Sequence, residues 1–327
     1  MPRQIIVAHA ALADRRNGRL AHDERAARAA LGLAGAEEGT TRVWVDDWRM
    51  TREGDAWRAR IAARAFRLRS RVRGDARADA ERRGGLLAQG RARPQEASYY
   101  YSVPQLRVAG TLERGRGRET VRGIAWYDHE WSSRYMAPEA EGWDWIGLDL
   151  DDGGALMACR MRARDGTMHY AGATLAGAAA AGRAFAPSEV SFAPLRRWRS
   201  PRTGTEYPVA MRVRVGAREW LLEPLMDDQE LDARASTGTI YWEGAVRASR
   251  RRASRRPRLS GAHRLLAADA PLNRGRERDA GENERDAGEV KPARRLPEEH
   301  GGRGTTAIAG DEGMPSTRTA LRGAGPG

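Results

Sequence analysis

Trp126, Tyr127, Asp128, His129, Glu130 and Trp131 follow one another within "GIAWYDHEWSS", residues 123–133. Six positions thus hold two tryptophans, a tyrosine, a histidine and two carboxylates, in a chain of 327 residues with 10 Trp and 6 His. On a strand, alternate side chains share a face. Ile124, Trp126, Asp128 and Glu130 then fall on one side, and Tyr127, His129 and Trp131 on the other. Asp128 is placed beside an indole with an aliphatic residue beneath. If that face lines a cavity, desolvation keeps the Asp128 carboxyl protonated near neutrality. A buried acid among aromatic rings suits protonation of an isolated double bond. The tertiary carbocation formed needs a π-rich wall, for which Trp126, Trp131, Trp143 and Trp145 are the candidates, each contact contributing roughly 0.5–2 kcal/mol. Water oriented by His129 or Tyr127 then adds, and the carboxylate takes its proton. The candidate catalytic set is Asp128, His129 and Tyr127, and the chemistry requires no cofactor and no metal. A structural reading stands beside it: Asp128 or His129 ties a strand end to a loop, and the tryptophans fill a barrel end.

Such a motif has to be held by strands, and the surrounding chain reads as strands. "AWRARIAARAFRLR" puts Trp57, Ala59 and Ile61 on one face and arginines opposite. "TRVWVDDWRM" alternates Val43, Val45 and Asp47 against Trp44 and Asp46. "QLRVAGTLERGRGRETVRGIAWYDHEW" reads as a hairpin, and so does "WDWIGLDLDDGGALMACRMRARDG" with "DDGG" as its turn. "TIYWEGAVRAS" closes the series. Only His22–Gly35, alanine-rich, reads as a short helix. Residues 71–97 show no useful periodicity, and 249–327, polar and rich in Arg, Gly and Pro, read as a disordered tail. The pattern is an all-β sandwich or barrel.

The net charge of +13 raises nucleic acid as a partner, but 56 of the 57 basic residues are arginine, in an Ala- and Gly-rich chain. That looks like GC-rich codon usage, and no compact basic stripe interleaved with aromatics and no nucleic-acid motif accompany it; no nucleic-acid partner is expected. Cys159, the sole cysteine, excludes an intrachain disulfide and reads as a small core residue. No apolar run is long enough for a membrane span. The N-terminus has no basic segment followed by an apolar one, so no signal peptide is read there. "DDQELD" at 227–232 reads as a solvated turn rather than a calcium site, lacking the glycine turn and final glutamate of an EF-hand. "SPRTG" at 200–204 reads as a turn. Tyr99 and Tyr101 of "YYYS" read as core, and His9, His22 and His169 as surface or satisfied core residues.

"HAALAD", "TRVWVDDW", "ASYYYSVPQLRVAGTL", "GIAWYDHEWSS", "GWDWIGLDLDDG", "WRSPRTGTEYPV", "PLMDDQELD" and "YWEGAVR", taken in order over about residues 5–248, resemble the carotenoid 1,2-hydratase (hydroxyneurosporene synthase) and AttH-like family of lipocalin-like proteins. The resemblance implies two tandem lipocalin-like antiparallel β-barrels: a first, incomplete one over 1–100, a second over 101–248, then the tail from 249. It implies export to the periplasm or secretion. Peripheral membrane contact, without a transmembrane segment, is a separate expectation for the partners of this chain. The implied substrate is the end of an acyclic carotenoid or similar isoprenoid, and Asp128 of the "YDH"-like motif is the implied acid. The alternative is a carrier that holds a lipid or other apolar ligand without chemistry.

Three departures accompany the resemblance. An opening "EWWY"-like strand is missing, as are a "GYSRKG"-like stretch before "ASYYYS" and a closing "GYLELTGY"-like strand. Written as ggg cta ctc gcg caa ggg, Gly85–Gly90 reads Gly-Tyr-Ser-Arg-Lys one nucleotide later. Arg258–Leu266, with suitable codons, reads Ala-Tyr-Leu-Glu-Leu-Thr-Gly-Tyr in the same shift. The expectation is that residues of about 71–92, and everything after about 250, are out-of-frame translation. The gene's DNA across those codons checks it.

Overall fold

The computed structural model describes residues 4–74, 85–88, 97–131, 140–163, 165, 167–178, 181–251, 266–269 and 316–319. Nearly all of it is strand. The first half holds β1 (Ile5–Leu12), β2 (Ala21–Arg28), β3 (Ala34–Ala36), β4 (Arg42–Val45), β5 (Trp48–Glu53), β6 (Ala56–Ala62), β7 (Arg67–Arg73), β8 (Gly85–Ala88), β9 (Ala97–Arg114) and β10 (Gly117–Trp131). After it come β11 (Ala140–Asp149), β12 (Ala155–Ala163), β13 (Met168–Ala176), β14 (Arg183–Phe185), β15 (Val190–Arg199), β16 (Glu206–Val215) and β17 (Arg218–Pro224). The last are β18 (Glu230–Ala233), β19 (Thr239–Glu243), β20 (Val246–Arg251), β21 (Leu266–Asp269) and β22 (Ser316–Thr319).

Every described pairing is antiparallel. The first sheet runs β3–β4–β5–β6–β7–β9–β10–β22, with β8 also on β9. The second runs β14–β13–β12–β11–β21–β19–β18, and the third β15–β16–β17–β20. β1 and β2 pair only with each other. The all-β expectation is met in content and strand direction. Closure into barrels is not seen among the described residues, because closure needs the end strands of a sheet to pair. No end strand does so among the described residues.

Two sequence expectations change. His22–Gly35 is not a helix: β2 and β3 occupy it, and the alternation of Ala21, Asp23 and Arg25 against His22 and Glu24 lets β2 pair residue for residue with β1. "TRVWVDDW" is not one strand. Asp46 takes φ 55, so Asp46-Asp47 turns the chain and Val45 pairs with Trp48. The irregular reading of 71–97 is narrowed from both ends, since Arg71–Arg73 continue β7 in register with β9 and Val72 is buried. Most of that stretch, and most of the tail, lie outside the described residues.

Apolar alternation builds the cores. On the inner face of the first sheet, Trp57, Val72, Leu106, Val108, Ala125 and Tyr127 pack together. Farther along, Ile6 and Ala8 of β1 pack on Val45, Trp48, Leu112 and Val121. The largest core lies between the second and third sheets, where Ile146, Leu148 and Leu156 meet Phe192, Val209, Met211, Val213 and Leu222. Each such side chain contributes roughly 1.5–3 kcal/mol by leaving water.

Candidate functional site

The site begins with a break in the β9–β10 ladder. Pairing runs from Gly117↔Arg114 to Ala125↔Leu106, then resumes at Tyr127↔Val103, so β9 carries an extra residue. Pro104 has no N–H for the ladder, and Gln105 adopts φ 59, a β-bulge arrangement. The freed Gln105 N–H donates to Asp149 Oδ1 at 2.7 Å. Its side-chain amide donates to the carbonyls of Leu150 (3.0 Å) and Gly154 (2.7 Å). The bulge thus clips the "DDGG" turn of the β11–β12 hairpin onto the first sheet. β11 then lies over Trp126, and Gly147 allows it: a Cβ there would sit 2.8 Å from ring atoms of both Trp126 and Trp145.

Between these layers Tyr100, Trp126, Trp145, Ala155 and Cys159 form a buried cluster, with Trp143, Met157 and Tyr170 packed on it. The Trp126 and Trp145 rings meet edge to face at 6.2 Å. Asp128 is buried here, 4% exposed. Its Oδ1 accepts from Tyr100 Oη (2.5 Å), Trp126 Nε1 (2.7 Å) and Ser102 Oγ (2.8 Å). Tyr100 Oη in turn lies 2.7 Å from Ser102 Oγ and accepts from Trp145 Nε1 at 3.2 Å. Burial, with the Asp128 charge second, holds the Tyr100 hydroxyl well above the ordinary tyrosine pKa, so it remains a donor. Burial opposes charge on Asp128 while three donors on one oxygen favour it.

The sheet divides the sequence candidates as alternation requires. Asp128 and Trp126 share one face, and Trp145 and Trp143 join them from β11. Tyr127 and His129 lie behind the sheet, with Tyr127 stacked on Trp57 at 5.5 Å and His129 Nδ1 3.1 Å from Tyr101 Oη. Trp131 is placed on β10 by its backbone, and its side chain lies outside the described residues. Ile124 is not beneath Asp128: it is 36% exposed, beyond the end of the β11 cover. Tyr100 and Ser102 were missed by sequence reasoning. The signal was present, since alternation puts both on one face of β9, and the hairpin register sets Ser102 opposite Asp128.

Burial pushes the His129 pKa down to about 4. The folded state therefore keeps it neutral while the unfolded state gains a proton below about 6.5. Stability falls as pH drops from about 6.5 to about 4, and the full penalty is present below that. His129→Gln should flatten this part of a denaturation-versus-pH curve, removing a slope worth about 1–3 kcal/mol. An unchanged slope would refute a buried neutral imidazole. Cys159, pushed up to about 12 mainly by burial, is a core thiol and not a nucleophile at neutral pH.

The carboxylates of "DDQELD" are each used. Asp227 pairs with Arg196 and Asp228 with Arg202, while Asp232 pairs with Arg234. Buried Glu230 accepts from Ser200 Oγ (2.7 Å) and Thr203 Oγ1 (2.6 Å), anchoring the "SPRTG" turn. Among the described residues no His/Cys/Asp/Glu group has metal-site geometry, and no helix is long and apolar enough to cross a membrane. His9 bonds Tyr241 Oη and Ser236 Oγ, both at 2.8 Å, tying the β1–β2 hairpin to the β18–β19 turn.

Known proteins share this architecture. The crystal structure of a candidate AttH from Nitrosomonas europaea superposes with a TM-score of 0.72 at 44% identity, covering 82% of each chain. Kievitone hydratase from Nectria haematococca matches with a TM-score of 0.64 at 15% identity, covering 81% of this chain and 80% of its own, a likeness of fold. No curated protein matches the chain. The AttH-like family matches residues 1–256, the whole span from the β1–β2 hairpin to the end of β20, and the chain belongs to that family.

Proposed function

We propose that this chain is a hydratase-like enzyme that adds water to a terminal double bond of an acyclic isoprenoid, with carotenoid ends as the substrate class. The observation that carries the reading is Asp128, buried among Trp126, Trp145 and Trp143 with Tyr100 and Ser102 on its carboxyl. In the protonated form its O–H bond breaks and the proton goes to the less substituted alkene carbon. The tertiary cation left behind faces the indole rings. Water forms the C–O bond and loses a proton to the Asp128 carboxylate, so atoms and charge balance and the acid is restored. Tyr127 and His129, on the reverse face, hold β10 and hence Asp128 in register. The AttH-like family membership and the fold shared with kievitone hydratase agree with a hydratase reading.

A carrier is the second reading, favoured by the three donors on Asp128 Oδ1, which also suit a permanently ionised carboxylate that orients a ligand head group. Incubation with neurosporene or lycopene in ¹⁸O-labelled water separates the two. Hydration gives a product heavier by one labelled water, carrying a tertiary hydroxyl. Saturable binding with recovery of unchanged polyene would overturn the enzyme reading in favour of the carrier.

A further inference from the structure

Arginine faces arginine across the outward side of the first sheet. Arg49 opposes Arg60, which opposes Arg69 in turn. Arg58 opposes Arg71, and Arg73 opposes Arg107. Arg122 joins the row through Ala109, which pairs with both Arg71 and Arg122. All are exposed. Arg58 and Arg73 reach Glu53 and Asp55 at the β5–β6 turn. Beyond the strand ladders, the side chains of Arg49, Arg60, Arg69, Arg71, Arg107 and Arg122 make no hydrogen bond or ion pair with any described residue.

Like charges directly opposed on a sheet are destabilising. Arginine-rich composition does not by itself produce this. On the third sheet, Arg197 is paired with Glu206, Arg212 with Glu219, and Arg196 with Glu223 and Asp227. The first sheet therefore concentrates uncompensated charge on one surface, with guanidinium forks spaced by the strand separation of about 5 Å and the two-residue repeat of about 7 Å. Such forks match phosphate oxygens. Thr51, Ala109, Thr111, Thr120 and Ile124 occupy other positions of this face; the one ring opposite an arginine of the row, Trp44 across from Arg49, is covered by Arg42 and bonded to the Gly32 carbonyl, so the described residues of the face offer no row of rings on which successive bases could stack. On β10 the outward positions run Arg122, Ile124, Trp126, Asp128. The cationic face thus leads, through an exposed isoleucine, straight to the rim of the Trp126–Asp128 cluster.

We propose that this arginine face docks the chain on the phosphate head groups of an anionic phospholipid membrane, bringing the Ile124–Trp126 end of β10 against the bilayer. An apolar ligand would then reach the buried cluster without crossing water. The docking residues are none of those in the Asp128 cluster, so docking and hydration succeed or fail separately.

The test is co-sedimentation of the full chain with vesicles of phosphatidylcholine alone or mixed with phosphatidylglycerol. Binding to the mixed vesicles only, weakened by added salt, is expected. Each arginine contributes about fivefold. The triple variant Arg60→Glu/Arg69→Glu/Arg71→Glu should therefore lose at least about a hundredfold in partitioning. A second variant, Arg60→Thr/Arg71→Thr, removes three opposed pairs, Arg49–Arg60, Arg60–Arg69 and Arg58–Arg71; it should melt higher than the wild type yet bind the vesicles more weakly, a combination that misfolding cannot produce. Equal binding to both vesicle types would overturn the proposal. So would undiminished binding by the variants, or tighter binding to duplex DNA or single-stranded RNA than to the mixed vesicles at the same salt.

Discussion

An Asp128→Asn chain is expected to fold, to keep its affinity for an acyclic polyene, and to lose hydration by at least about a thousandfold, the scale of a positioned proton donor. Asparagine keeps the shape of the side chain. Its carbonyl oxygen can still accept from Tyr100, Ser102 and Trp126, so the side-chain hydrogen bonds that tie β10 to β9 survive. What is lost is the ionisable proton, and the proposed cycle uses it twice, once on carbon and once from water. Single-turnover assays beside ligand binding read the two effects separately. Activity within tenfold of the wild type would remove Asp128 from the chemistry. Tyr100→Phe supplies the companion test. It deletes a donor that favours the ionised carboxyl while preserving the ring, so the pH at which activity declines on the alkaline side should move upward.

Alternation and turn chemistry made much of this arrangement legible. Trp57, Ala59 and Ile61 face inward with arginines outward, as the sequence pattern requires, and "DDGG" turns β11 into β12 with Gly153 at φ 78. Asp128 beside Trp126 followed from strand period alone. The misread pieces share a cause. The alanine run of His22–Gly35 has helical propensity, but pairing with β1 and packing on the first sheet override it. The partners of Asp128 come from another strand, and a bulge at Pro104–Gln105 decides which face meets β11; strand periodicity carries no information about that cover. The arginine face was legible only strand by strand. Alternation set arginines outward on β6, but only the register across β5, β6, β7, β9 and β10 stacks them into one surface.

Gly147→Val should cost at least about 3 kcal/mol and disturb the Asp128 cluster, although position 147 touches no carboxylate. The argument is steric. A Cβ on residue 147 would lie 2.8 Å from ring carbons of Trp126 and Trp145, well inside van der Waals contact. Both indoles are buried and hydrogen-bonded, Trp126 to Asp128 and Trp145 to Tyr100, so neither can turn away without leaving a buried donor unpaired. The other escape is for β11 to lift from the first sheet, which strains the Gln105 bonds to Asp149, Leu150 and Gly154. Either response uncouples Trp126 from Asp128, so lowered denaturant midpoint and altered tryptophan fluorescence should appear together. Gly117→Ala is the control, since its Cβ would meet only the Arg114 carbonyl at 3.6 Å, an ordinary contact. It should change stability by less than about 1 kcal/mol. If Gly147→Val were as mild as Gly117→Ala, the indoles would not be clamped against β11, and an aromatic wall fixed in place to face a cation at Asp128 would have to be given up.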